Sequence, residues 1–373
     1  MKYQIEISKI IQGGINLDRD KVLAYSQQLV DKLVSDGDVN TANRVKRIVE
    51  SENNTLSVKD SVFKKLENTP VDMDSRFSMV DIVYPNDNTK EVVLSDEIEL
   101  DINYFVENYK KSDQLSEAGL DIASKLLLYG PPGTGKTQTA YHIAQKLGLP
   151  LLVARLDSIV SSYLGTTAKN IRTLFEYSEQ MPCVLFLDEF DAIAKKRDDL
   201  NELGELKRVV NSLLQNIDNM NSNSLLIAAT NHENLLDAAV WRRFDYKINI
   251  GLPQVGEIQK LLSKLIPNTE ENDDDIIVLS YMLDGKSGAE IERLVNQKRR
   301  ESIINETDLS VKELISKMFA NIMFEKYGDK EVETKRKITF LRNLDDRIFT
   351  YKTISEIIGV SKSTISQVLK GES

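Results

Sequence analysis

Cysteine is almost missing from this sequence. The single one, Cys183, abuts the apolar run Val184-Leu185-Phe186-Leu187 and reads as a small buried hydrophobe. One cysteine excludes a disulfide framework within the chain and fits a reducing compartment. Histidine is nearly as scarce. His142 and His232 lie far apart in no metal-ligand spacing, which excludes a metalloprotease of the H-E-x-x-H type. Long apolar runs are absent: none approaches the ~20 residues that span a bilayer. The opening Met1-Lys2-Tyr3-Gln4 carries no apolar signal core. The expectation is a cytoplasmic chain with no membrane partner. A surplus of positive charge is also missing. The net charge of −10 argues against general polyanion binding, although a local basic patch stays open.

What is present suits a soluble globular protein, with 41% hydrophobic and 28% charged residues. At roughly 150 residues per domain, 373 residues allow two or three domains. The stretch that organises them is Gly130-Pro131-Pro132-Gly133-Thr134-Gly135-Lys136-Thr137. It follows a short apolar run, Lys125 to Tyr129, and precedes Gln138 to Leu147, which holds no Gly or Pro. Strand, glycine-rich loop and helix in that order make a phosphate-binding loop. Glycines let the backbone approach phosphates, and backbone N–H groups at the helix N-terminus cradle the anion. Lys136 then reaches the β- and γ-phosphates of ATP, and the Thr137 hydroxyl coordinates Mg²⁺.

About fifty residues later the apolar strand Val184 to Leu187 ends in Asp188-Glu189. Acids at the C-terminal end of a strand sit where open α/β sheets bind ligands. Asp188 is placed to hold the Mg²⁺ shell, and Glu189 to act as general base toward the attacking water. Further strands are expected at Leu151 to Arg155, Leu225 to Ala229 and Tyr246 to Ile250. The fourth ends in Thr230-Asn231, a polar pair placed to touch the γ-phosphate or its water. Leu120 to Ser124 are expected near the adenine.

Ahead of this region, helical spacing predicts a hairpin over about 18–49 and a short helix over 58–66, and Phe77 to Tyr84 and Glu91 to Leu94 read as strands. A structural hairpin and a docking or substrate-recruiting module are both open for this segment. Downstream, four helices are expected at Val255 to Leu265, Ile276 to Leu283, Gly288 to Ile304 and Val311 to Tyr327. The expected domains are 1–95, mainly helical; 96–251, nucleotide-binding; 252–329, a helical lid; and 330–373, a C-terminal module.

Five stretches, in this order and spacing, resemble a AAA-type ATPase of the AAA+ superfamily: Gly130 to Thr137, Leu185 to Glu189, Ala228 to Asn231, Arg242-Arg243-Phe244-Asp245 and Gly288-Ala289-Glu290-Ile291. The resemblance covers about residues 96–305 and implies an α/β P-loop NTPase fold: a parallel five-stranded sheet with an α-helical lid, flanked by mainly helical modules. It implies ATP and Mg²⁺ as cofactors, with Gln138, Gly288 and Ala289 joining the nucleotide site. Asn231 becomes the residue that orients the lytic water. Arg242 and Arg243 take arginine-finger positions that act on a neighbouring subunit of a homo-oligomeric ring, a hexamer. Tyr163-Leu164-Gly165 matches the aromatic–hydrophobic–glycine loop by which AAA unfoldases grip a polypeptide substrate. Ala289 stands where many AAA+ proteins carry a lid arginine, which argues against initiators and clamp loaders.

Thr353 to Ser366 resembles the DNA-reading helix-turn-helix of small repressors, with Lys362, Ser363, Thr364 and Gln367 facing the groove. A helical module for oligomer or partner contacts is the other reading of that tail. Three functions follow: an ATP-driven protein unfoldase or remodeller, working with a separate peptidase if degradation follows; a DNA-associated ATPase; and a nucleotide-gated regulator of a partner protein.

Overall fold

The structure is a computed structural model. It describes residues 29–34, 36–47, 69–70, 78–84, 91–159, 164–179, 182–194, 203–220, 224–266, 273–307, 309–328 and 332–370, with isolated residues before 29. The chain divides into two compact units, Met1–Thr69 and Pro70–Ser373.

In the first unit, residues 29–34 and 39–47 are helical. The turn between them places Gly37 at φ +83°, and the Asp38 carboxylate accepts the Thr41 N–H at 3.1 Å to start the second helix. Val30, Leu33 and Ala42 are buried together, backed by Leu29 and Val45. These two segments lie within the hairpin expected over about 18–49; most of residues 18–28, with 35, 48 and 49, lie outside the described residues. The helix expected over 58–66 lies outside the described residues.

The second unit is built on a six-stranded sheet in the order β1-β3-β4-β5-β2-β6. Its strands are β1 (Val80–Val83), β2 (Lys125–Tyr129), β3 (Leu151–Ala154), β4 (Val184–Leu187), β5 (Leu225–Thr230) and β6 (Tyr246–Asn249). The five strands from β2 to β6 are parallel, and β1 adds an antiparallel edge on β3. Every residue of β4 and β5 is buried, as continuous apolar runs require when helices cover both faces. Residues 70–95, expected with the N-terminal module, fall within this second unit because β1 completes its sheet. The strand expected at Glu91 to Leu94 is not one: these residues run without a ladder partner into the next helix.

That helix, α1 (Asp96–Lys110), begins where Ser95 accepts the Ile98 N–H, and it carries acids in its first turn, the favoured sign there. The α2 helix (Lys136–Leu147) runs from Gly135 to a left-handed Gly148 cap. Ile102 and Phe105 of α1, Ala140 and Ile143 of α2, and alternate residues of the sheet (Leu126, Leu128, Val184, Phe186, Leu225, Ile227) form one core. The helices α3 (Leu164–Ser178) and α4 (Leu203–Asn219) pack against each other.

The rest is helical: α5 (Val255–Leu265), α6 (Asp273–Met282), α7 (Gly288–Ile304), α8 (Val311–Tyr327), α9 (Thr334–Leu344), α10 (Tyr351–Ile358) and α11 (Lys362–Lys370). The boundary expected near residue 330 does not divide the core. Ile338, Leu341, Phe349, Ile354 and Ile365 are buried in the same cluster as Ile258, Leu262, Ile291, Val295 and Met318. The Phe349 ring meets Tyr281 edge-on at 6.5 Å.

Candidate functional site

The register of the parallel strands decides what meets what. Leu127 of β2 and Leu187 of β4 both stand opposite Ala228 of β5. The loops leaving β2, β4 and β5 therefore emerge side by side at the C-terminal edge. They carry the phosphate loop, Asp188-Glu189 and Asn231.

The loop conformation needs its glycines. Gly130 sits at φ +138°, and a Cβ there would lie 2.3 Å from the Ile250 carbonyl oxygen. Gly135 adopts φ +100° as the N-cap of α2. Lys136 is buried and donates through Nζ to the carbonyls of Gly130 at 2.8 Å and Pro131 at 2.7 Å. Burial lowers its pKa, against the opposing pull of Asp188, Glu233 and Asp191. An ammonium held only by neutral carbonyls at the head of a helix is poised to take an anion instead.

Thr137 Oγ1 donates to Asp188 Oδ2 at 2.7 Å. The other Asp188 oxygen accepts the Glu189 N–H at 2.9 Å. Glu189 has φ +49°, a left-handed turn that is uncommon outside glycine. That turn ends β4 abruptly, and the Phe190 N–H bonds back to Ala229 O at 2.8 Å. Glu189 is left exposed beside the loop. Thr230 Oγ1 donates to Asp191 Oδ1 at 2.7 Å and accepts the His232 N–H at 3.0 Å, which shapes the turn carrying Asn231. The hydroxyl and carboxylate of Thr137 and Asp188 are the hard oxygen donors that Mg²⁺ takes alongside phosphate and water. Among the described residues, no three His, Cys, Asp or Glu side chains form a metal cage of their own.

These residues open onto a cavity of about 800 Å³, lined by Gly133 to Gln138, Asp188, Glu189, Asn231, Gly288 and Ala289. The lid touches the loop directly: the Ala289 N–H bonds to Gly133 O at 3.0 Å, and a Cβ on Gly133 would meet Ser287 Oγ at 2.9 Å. Ser287 and Glu290 cap α7 reciprocally. Donation from the Ser287 backbone and hydroxyl holds the Glu290 carboxyl below the usual range.

The wall that sequence reasoning missed is the segment from Glu91 to Ile98, together with Ile250 to Pro253. Lys264 pairs with Glu91 at 2.6 Å and Lys260 with Asp96 at 3.4 Å, tying this segment to α5 of the lid. The signal was available as apolar Val92-Val93-Leu94 running straight into a Ser N-cap. Leu120 to Ser124, expected near the adenine, do not line the cavity. The Asp245 carboxylate instead accepts the N–H groups of Ser124 and Lys125, each at 3.0 Å, and so anchors the start of β2.

Arg242 and Arg243 do not line their own chain's cavity. Arg242 is exposed. Arg243 forks onto Asp218 of α4, with Nε at 3.1 Å and Nη2 at 3.2 Å, and donates to Ala239 O. Tyr163 lies outside the described residues. Leu164 and Gly165 are the first residues of α3. Lys362, Ser363, Thr364 and Gln367 are exposed on α11.

Comparison with known proteins agrees with this geometry. Residues 126–252 match the model of the ATPase family associated with various cellular activities (AAA). The chain is 45% identical over 228 residues to the uncharacterized AAA family ATPase y4kL of Sinorhizobium fredii, covering 60% of this chain and 68% of that protein. It is 31% identical over 266 residues to the ATP-dependent zinc metalloprotease FtsH of Aster yellows witches'-broom phytoplasma, covering 67% of this chain but only 38% of that protein. The fold matches the crystal structure of the FIGL-1 AAA domain in complex with ADP. That match has a TM-score of 0.52 at 22% identity and covers 67% of this chain and 94% of the other. With its phosphate loop, paired acids and lid converging on one nucleotide-sized cavity, and with a relative of this identity spanned over two thirds of its length, the chain belongs to the AAA family of ATPases.

Proposed function

We propose that the protein works as a homo-oligomeric ring, a hexamer, that couples ATP hydrolysis to the remodelling or unfolding of polypeptide substrates. The observation that carries the hydrolytic part is the convergence of Lys136, the Thr137–Asp188 pair, Glu189 and Asn231 on one cavity bordered by the lid. Lys136 exchanges its two loop carbonyls for phosphate oxygens. Thr137 and Asp188 hold Mg²⁺, which neutralises phosphate charge when bound. Glu189 takes the proton of the attacking water, and Asn231 orients that water. Arg242 and Arg243, turned away from their own site, supply positive charge to the site of the next subunit. An arginine acting in trans makes turnover depend on assembly and is worth roughly 10³–10⁵ in rate.

The relative named as an ATP-dependent zinc metalloprotease supports a polypeptide as substrate. These 373 residues contain no H-E-x-x-H motif. Among the described residues no helix is long and apolar enough to cross a membrane.

The test is the ATPase rate per subunit against protein concentration, for the native chain and for Arg243→Ala. A rate that climbs with concentration and collapses in the variant is expected. A flat rate indifferent to the variant removes the ring.

A further inference from the structure

The C-terminal helices form a tight unit with a distinct surface. Gly359 closes α10 at φ +77°, its N–H bonding to Ser355 O at 2.9 Å. The Ser355 hydroxyl donates to Val360 O at 2.6 Å, and Ser361 Oγ accepts the Thr364 N–H at 3.2 Å to start α11. The turn is thus pinned on both sides, and α9 packs across both helices. Ile354 and Ile365 point into the core. The outer face of α11 presents Lys362, Ser363, Thr364 and Gln367, all exposed. No acid occurs in α11. Residues 330–373 carry nine Lys and Arg against six Asp and Glu, in a chain whose net charge is −10. The tail thus has a basic surplus of three, against the acidic balance of the whole chain.

A helix that offers lysine, hydroxyl and amide groups outward, set by a glycine turn against a second helix, fits the major groove of duplex DNA. The unit is also part of the lid. Ile354 and Ile365 share a core with Ile291 and Val295 of α7, and the first turn of α7 bonds to the phosphate loop through Ala289 and Gly133. Through this shared core, any displacement of the lid would carry α11 with it.

We propose that α11 docks in the major groove of double-stranded DNA and that DNA affinity is coupled to the nucleotide in the AAA site through the shared lid core. The coupling rests on the ATP-site reading above; the docking does not. Because linkage is reciprocal, DNA must change nucleotide affinity by the same factor.

The experiment is fluorescence anisotropy of a labelled mixed-sequence duplex of about 30 base pairs, roughly three helical turns. It uses the full chain carrying Glu189→Gln so that ATP is not consumed, and it compares ATP with ADP over a salt series. Binding is expected in the micromolar range, as for contacts dominated by phosphate. ATP and ADP should give affinities differing by at least about fivefold. Lys362→Ala combined with Gln367→Ala should weaken binding about tenfold and flatten the salt dependence by about one charge. The same double variant in an otherwise native chain should keep its DNA-free ATPase rate.

A native chain that binds no duplex at low salt overturns the docking and turns the surface into a protein contact. Equal affinity with ATP and ADP overturns the coupling and leaves a passive anchor. The DNA-free ATPase, measured in parallel, reports separately on the AAA site.

Discussion

Lys136 is buried, and its ammonium donates to two neutral carbonyls of its own loop. A cation so placed at the head of a helix favours an anion such as a triphosphate. Lys136→Ala should abolish ATP binding, read by loss of binding heat in calorimetry, while leaving the fold intact. Glu189 stands apart from that work. Glu189→Gln should retain ATP binding and lower the turnover number by about 10²–10⁴, the range ascribed to a positioned general base, as a steady-state phosphate-release assay would reveal. Arg243 is held at 3.1 Å by Asp218 on its own chain. To reach a neighbour it must leave that carboxylate, and a partly exposed pair of this kind is worth only ~1 kcal/mol or less. Asp218→Asn should therefore lower the protein concentration giving half-maximal ATPase by up to about fivefold. An unchanged or raised midpoint would show that Asp218 positions the arginine instead of restraining it.

At the scale of elements, α7 links lid to loop, and its start is set by Ser287 and Glu290. Ser287→Ala removes the cap and should cost about 1 kcal/mol, seen as a lower urea midpoint. The folded-state pKa of Glu290 is depressed, so its contribution is present above the unfolded glutamate value of about 4.3. It is lost as pH falls through the lower folded value; lid stability should drop below about pH 4 for this reason. Elements were legible where they carried local signals: the buried runs of β4 and β5, the Gly135 and Gly148 ends of α2, the heads of α5 and α7. Glu91 to Leu94 misled because apolar residues in a short run look like a strand. What settles their conformation is contact with Gly135, whose added Cβ would lie 3.3 Å from Val92, and with the lid lysines.

For the whole molecule, the joining of α9, α10 and α11 to the lid core has a mechanical consequence. Ile338, Leu341, Phe349, Ile354 and Ile365 are fully buried there. At about 1.5–3 kcal/mol per buried large apolar side chain, their removal would forfeit on the order of 10 kcal/mol of burial. A chain ending at residue 329 should unfold its lid and lose ATP affinity together, as calorimetric melting with and without ATP would detect. Survival of a native-like lid would show that the tail is an appendage.

The sequence by itself determined the chemistry of this protein. A phosphate loop, a strand ending in Asp188-Glu189 and the polar end of β5 are local patterns, dictated by backbone conformation and reactive groups within a few residues of one another. The tertiary structure alone decided what surrounds that chemistry. It chose Glu91 to Ile98 as the cavity wall, Asp218 as the holder of Arg243, β1 as the edge strand and one common core for lid and tail. Each of these is a contact between distant positions, such as Lys264 with Glu91 across 173 residues or Ser124 with Asp245 across 121. Their energies come from burial and charge pairing that exist only once the chain has closed on itself, so no local pattern announces them.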